Sequence, residues 1–177
     1  MRFRAPSWDL TYNKIKKKDN FMVYAGQSLK ERAEMLERTR WSTEFSWPEV
    51  EKIAGHLSLS RAIQGMPVLK EGDLDAFMCL IVEGEVKVVK EDEKWQKKVL
   101  ATLGKGKIFG EMSLFDGEPR SATVVPSEHT TLLVLTKENL NNLIEEFPLL
   151  AVKLIMKLGK SISQRLRLTS GKLIDII

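Results

Sequence analysis

The sequence predicts a mainly β domain, an antiparallel barrel or roll, flanked by helices. Three observations carry this. Between Ala62 and Leu135 short apolar segments recur, divided by the turns Glu71-Gly72-Asp73, Glu83-Gly84 and Gly104-Lys105-Gly106. Within Val86-Lys87-Val88, apolar and charged residues alternate as in a half-exposed strand. On either side of this zone the apolar period lengthens to that of a helix.

Length and composition agree. The chain has 177 residues, 43% hydrophobic and 29% charged, enough for one sizeable core and an appendage. One cysteine, Cys79, excludes an internal disulfide framework or a multi-cysteine zinc site and fits a reducing compartment; His56 and His129 are too few for a His-rich metal centre. The first twenty residues hold no apolar core of a signal peptide, and no stretch has the length of a membrane span, so a cytoplasmic location is expected. A net charge of +4 permits an anionic ligand.

In chain order, residues 1–40 read as a basic, aromatic extension. Lys14, Lys16, Lys17 and Lys18 cluster among Pro6, Trp8, Tyr12, Phe21 and Tyr24, as a solvated segment or a docking arm. A charged helix is expected over 27–40, with Leu29, Ala33 and Leu36 as a thin apolar stripe. The main domain is expected over 41–177. Ser46-Trp47-Pro48-Glu49 has the form of a capped helix start, and Val50, Ile53, Ala54 and Leu57 continue it, with Trp41 and Trp47 packing that helix. Strands are expected over 62–68, 77–82, 85–90, 98–103, 122–125 and 130–135, and Trp95 in a hairpin loop. Thr136 can cap a helix over 137–147, which Pro148 ends or follows with another. Leu150, Leu154, Leu158, Ile162, Leu166 and Leu173 then mark one apolar side of a C-terminal helix, with Val152, Ile155 and Met156 close by and Gly159 and Gly171 as weak points.

The chemistry concentrates in 109–124. A strand ends at Ile108, Gly110 allows close approach of backbone to a ligand, and Glu111 places a carboxylate beside apolar residues. Met112–Phe115 can form one helical turn whose free N–H groups bind an anion. After the Gly117-Glu118-Pro119 turn, Arg120 offers a planar fork for phosphate and Ser121 a hydroxyl. An acceptor for hydroxyls beside donors for an anion suits a sugar phosphate. The same pieces also read as a Glu111–Arg120 salt bridge in an ordinary turn.

Taken whole, Phe109-Gly110-Glu111-Met112-Ser113-Leu114 followed by Pro119-Arg120-Ser121-Ala122 resembles the phosphate-binding cassette of the cyclic-nucleotide-binding domain family. The segments 68–73 and 81–88 resemble that family's first strands and Gly turns, and the likeness extends over about residues 41–177. It implies an eight-stranded antiparallel β-roll, jelly-roll-like, with an N-terminal helix and a C-terminal helix serving as lid and dimer helix. It also implies roles: Glu111 accepting from the ribose 2′-hydroxyl, the N–H groups of Gly110, Met112 and Ser113 facing ribose and cyclic phosphate, Arg120 and Ser121 holding the phosphate, and Val68, Leu69 and Leu103 walling the site. The run Gln164-Arg165-Leu166-Arg167-Leu168-Thr169-Ser170-Gly171-Lys172 is similar to the central helix of bacterial cyclic-AMP receptors, where a Thr-Ser pair reaches the adenine; Thr169 and Ser170 hold those positions.

The resemblance therefore implies a cyclic-AMP sensor acting on a protein partner or a second copy of itself, with no metal and no cofactor. Ser121, where cyclic-GMP binders often have Thr, tips the choice toward cyclic AMP. Alternatives are a cyclic-GMP sensor, or an interaction module of this fold that binds no nucleotide. An enzyme such as a phosphodiesterase is not expected, because His and Asp metal clusters are missing from the sequence. No DNA-binding motif follows the C-terminal helix in these residues, so a DNA output is not expected. Gly104-Lys105-Gly106-Lys107 lacks the spacing of a triphosphate loop. Cys79, alternating with Phe77 and Ile81, is expected to be a buried, inert thiol.

Overall fold

The structure, a computed structural model, describes residues 28–91 and 97–174, with side chains through Ser170. The lysine cluster and aromatics of 1–27, Trp95, and the side chains of Gly171, Lys172 and Leu173 lie outside the described residues. The chain divides into two compact units at Thr136/Lys137.

In the first unit, helix α1 (Leu29–Arg38) begins at a reciprocal cap. Glu31 N–H donates to Ser28 Oγ at 3.2 Å, and Ser28 N–H donates to Glu31 Oε2 at 2.9 Å. Helix α2 (Trp47–Gly55) starts at the expected Ser46, whose N–H donates to Glu49 Oε2 at 2.7 Å. Ala33 and Leu36 of α1 are fully buried, as are Ile53 and Ala54 of α2. Arg32 Nε donates to Ala54 O across the two helices. The thin stripe of α1 thus packs on α2, and this part of the extension is built into the unit. Trp41 stacks on Phe45, but Trp47 is 37% exposed, because the first turn of α2, Ser46 to Pro48, projects into solvent.

The strands are β1 (Ser58–Ala62), β2 (Phe77–Glu83), β3 (Val86–Glu91), β4 (Lys97–Leu103), β5 (Ile108–Phe109), β6 (Thr123–Pro126) and β7 (Thr130–Thr136). They form two antiparallel sheets, β1-β7-β2-β5 and β4-β3-β6. Their shared core includes Leu69, Cys79, Ile81, Val86, Phe109, Val124 and Leu132. The expected roll is therefore present, with two differences in its strands. The strand expected over 62–68 is instead β1, four residues earlier, because Gly65 (φ +75°) and Met66 turn the chain there, Gly65 N–H donating to Pro126 O. Its sequence hides it, since the buried row includes Ser60 beside Leu59 and Ala62. Seven strands rather than eight are found among the described residues. The missing one is reduced to an isolated bridge, Leu69 to Val124, because Lys70-Glu71-Gly72-Asp73 turns away directly afterwards.

The first unit also holds the short helix α3 (Met112–Asp116), and the second unit holds α4 (Lys137–Glu146) and α5 (Pro148–Ile174). Pro148 starts α5 and does not end the element before it by a loop; its missing N–H costs nothing in a first turn. The helix continues through Gly159 and Gly171, so neither glycine breaks it. Leu150, Leu154 and Leu158 are buried, whereas Leu149, Val152, Met156 and Leu166 are exposed. The single apolar side expected over Leu150–Leu173 is thus two lines, and its Leu154 and Leu158 are already covered. No helix among the described residues is long and apolar enough to cross a membrane.

Leu36→Ala tests whether α1 is integral to the first unit. Removing this fully buried side chain should cost about 2–4 kcal/mol, read as a lower urea midpoint.

Candidate functional site

Strand β5 delivers the chain to Gly110, whose φ of +77° favours glycine. The position also needs a hydrogen for steric reasons. A Cβ there would lie 2.9 Å from Arg120 Nη1, 2.9 Å from the Phe77 carbonyl oxygen and 3.0 Å from Leu69 Cδ1. Glu111 follows in helical conformation and leads into α3 (Met112–Asp116), which Gly117 closes at φ +70°. Asp116 Oδ1 accepts from Glu118 N–H, forming the turn that brings the chain back to Arg120.

Arg120 is the centre of the arrangement. Its Nη1 donates to Gly110 O at 2.7 Å and to Ser113 Oγ at 2.6 Å, and its Nη2 donates to Phe77 O at 2.8 Å. Its Cζ lies 4.5 Å from the Phe77 ring centroid, within cation–π range. The backbone is fixed as well: Arg120 N–H donates to Asp73 O, and Arg120 O accepts from Gly72 N–H. Arg120 is 5% exposed and Glu111 1% exposed. A cation and a carboxylate are thus both withdrawn from water within one ten-residue segment. Burial of this kind is costly unless each charge has partners, and it strengthens any interaction with a polar ligand that reaches them.

Of the residues singled out from sequence, the fold brings Gly110, Glu111, Ser113 and Arg120 together. Ser113 Oγ faces Arg120 and, at 3.4 Å, Asp75 O. Met112 and Ser121 belong to the same segment but are exposed. Thr169 and Ser170 lie on α5, in the other unit; both are exposed, and Thr169 Oγ1 donates to Arg165 O at 2.9 Å. Val68 and Leu69 are buried and Leu103 half-buried in the roll core. Sequence reasoning missed Phe77 and the 72–73 backbone. Their contributions are carbonyls, an N–H and a ring face, which no residue-type pattern reveals. His56 is structural, its Nδ1 2.9 Å from Lys52 O, and His129 is exposed.

The family profile described as the cyclic nucleotide-binding domain matches residues 63–147, which include the whole cassette. This stretch is a cyclic nucleotide-binding domain. The Cyclic AMP receptor protein of Thermus thermophilus is 39% identical over 101 residues, covering 57% of this chain and 47% of that protein. The chain thus spans about half the length of that curated relative. A cyclic nucleotide-binding domain from Methylobacillus flagellatus KT superposes with a TM-score of 0.77 at 29% identity, covering 82% of this chain and 85% of that one. The Thermus thermophilus Catabolite Activator Protein gives 0.67 at 33% identity, covering 75% and 61%.

Behind the cassette, Cys79 is fully buried on β2. Burial drives its thiol pKa far up, and the nearby Arg120 charge offsets only part of this. It is the inert thiol expected. Because the folded pKa exceeds the unfolded one, the thiol's contribution to stability is whole below about pH 8.5 and is lost as pH rises beyond that. Two results should follow. Iodoacetamide at pH 8.5 should label the chain only after denaturation. Between pH 8 and 10, urea titration should show wild type losing more stability than Cys79→Val.

Proposed function

We propose that this chain is a cyclic-nucleotide sensor whose preferred ligand is 3′,5′-cyclic AMP, and that it acts by binding rather than catalysis. The observation that carries this reading is the burial of two charged side chains at the glycine turn, Glu111, which follows Gly110 in the chain, and Arg120, which donates to the Gly110 carbonyl. Glu111 would accept from the ribose 2′-hydroxyl. Arg120 would share its guanidinium between its protein acceptors and the exocyclic phosphate oxygens, with Ser121 and the N–H groups of Gly110, Met112 and Ser113 completing the cradle. The names of relatives support the ligand class: two are a cyclic AMP receptor protein and a catabolite activator protein. Ser121 after the cassette arginine, together with Thr169 and Ser170 on α5, favours adenine over guanine.

Signalling would follow from α5. A ligand that binds better when α5 is drawn toward the base shifts the helix population. The exposed line Leu149, Val152, Met156 and Leu166 falls at spacings of three, four and ten residues, one side of a helix. It offers that helix to a second copy of the chain, since Leu154 and Leu158 are already buried.

Isothermal titration calorimetry with cyclic AMP and cyclic GMP tests the ligand. Binding of cyclic AMP should be the tighter, and Arg120→Ala should weaken it on the order of 10- to 100-fold, the worth of a charged hydrogen bond or two. No heat with either nucleotide would leave the fold as an interaction module. Sedimentation velocity tests the dimer: Val152→Glu with Met156→Glu should shift the chain to monomer, since two carboxylates would be buried on that line.

A further inference from the structure

Strand β3 carries a cation where its inner row should end. Val86 is fully buried and Val88 half-buried against the core, and with a side-chain period of two Lys90 is next on the same face. The pairing of β3 with β6 runs without a shift from Val86 to Val89, and the shift in its pairing with β4 between Val88 and Val89 skips Leu100 of β4 rather than a residue of β3, so that face is not exchanged before Lys90. Lys90 Nζ meets the cassette there. It donates to Ser121 O at 3.1 Å and lies 3.4 Å from Glu71 Oε1.

These contacts complete a series. Arg120 is held through its N–H by Asp73 O and through its C=O by Gly72 N–H. Ser121 is held through its C=O by Lys90, and Thr123 through its Oγ1 by Glu71 N–H. A peptide unit is planar, with its N–H opposed to its C=O. Fixing the Ser121 carbonyl therefore also fixes the direction of the Ala122 N–H and the plane from which the Ser121 side chain departs.

We infer that Lys90 is a positioning residue for the phosphate end of the nucleotide site, orienting the Ser121–Ala122 peptide that follows Arg120 in the chain. This rests on the nucleotide reading above. The Lys90 and Glu71 side chains are 49% and 36% exposed, so the ion pair itself contributes little to stability. Positioning and stability can therefore be separated by experiment.

The test compares wild type, Lys90→Met, Lys90→Arg and Glu71→Gln. Calorimetry with 3′,5′-cyclic AMP should show Lys90→Met about 5-fold weaker, at an unchanged melting temperature. Lys90→Arg should recover most of the loss, and Glu71→Gln, which leaves the bond to Ser121, should lie between. Equal affinity for wild type and Lys90→Met overturns the proposal, as does an affinity loss that parallels a fall in melting temperature or that Lys90→Arg fails to rescue. A second readout needs no nucleotide. In the amide spectrum of the free protein, the Ala122 cross-peak should move in Lys90→Met and return in Lys90→Arg; an unmoved peak overturns the positioning itself. Wild type that binds no cyclic AMP overturns the nucleotide reading and the ligand role of Lys90 with it, while the Ala122 peak still decides whether the clamp exists.

Discussion

A guanidinium withdrawn from water has to be met by acceptors in the right plane, and much of this site follows from meeting that demand for Arg120. Three of its bonds go to the Gly110 carbonyl, the Ser113 hydroxyl and the Phe77 carbonyl. Each fixes something else. The Gly110 carbonyl is available only because the backbone there takes a positive φ, and that conformation, with Arg120 packed against it, leaves no room for a side chain. The Ser113 hydroxyl is presented by the first turn of α3. The Phe77 carbonyl is presented by the first residue of β2, whose position is set by pairing with β7. The cassette is thus less a loop laid on a scaffold than a loop threaded through it by one side chain.

Much of this was legible in the sequence, and the reasons are specific. Glycine turns at positive φ lie between β2 and β3 at Gly84 and between β4 and β5 at Gly106. The pairing of Ser46 with Glu49 marked the start of α2. The cassette residues could be named because a chemically constrained turn uses particular residue types. What was not legible is equally specific. Strand β1 buries Ser60 and so lacks apolar alternation. The partition of α5 into a covered and an exposed line cannot be read from a helix in which both lines are apolar. Phe77 and the 72–73 segment act on Arg120 largely through backbone groups, which every residue type carries.

The two lines of α5 also explain why a single stripe was an incomplete description. Leu150, Leu154 and Leu158 repeat every four residues, the spacing of neighbours on one side of a helix. Leu149, Val152 and Met156 repeat at three and four and form their own side, 87%, 58% and 60% exposed. When both sides of a helix are apolar, only burial shows which of them is covered within the chain.

The contacts that define the cassette span long stretches of chain. Ser113 reaches Asp75 across 38 positions, Arg120 reaches Phe77 across 43, and Glu71 reaches Thr123 across 52. Loops of that size close at an entropic cost before any of these bonds can form. The site therefore cannot be completed until the segments that carry Phe77, of one sheet, and Thr123, of the other, have been brought to it. A peptide carrying the entire motif from Ile108 to Val124 would contain every residue that identifies the cassette, yet lack the carbonyl, ring and clamp that give Arg120 its place.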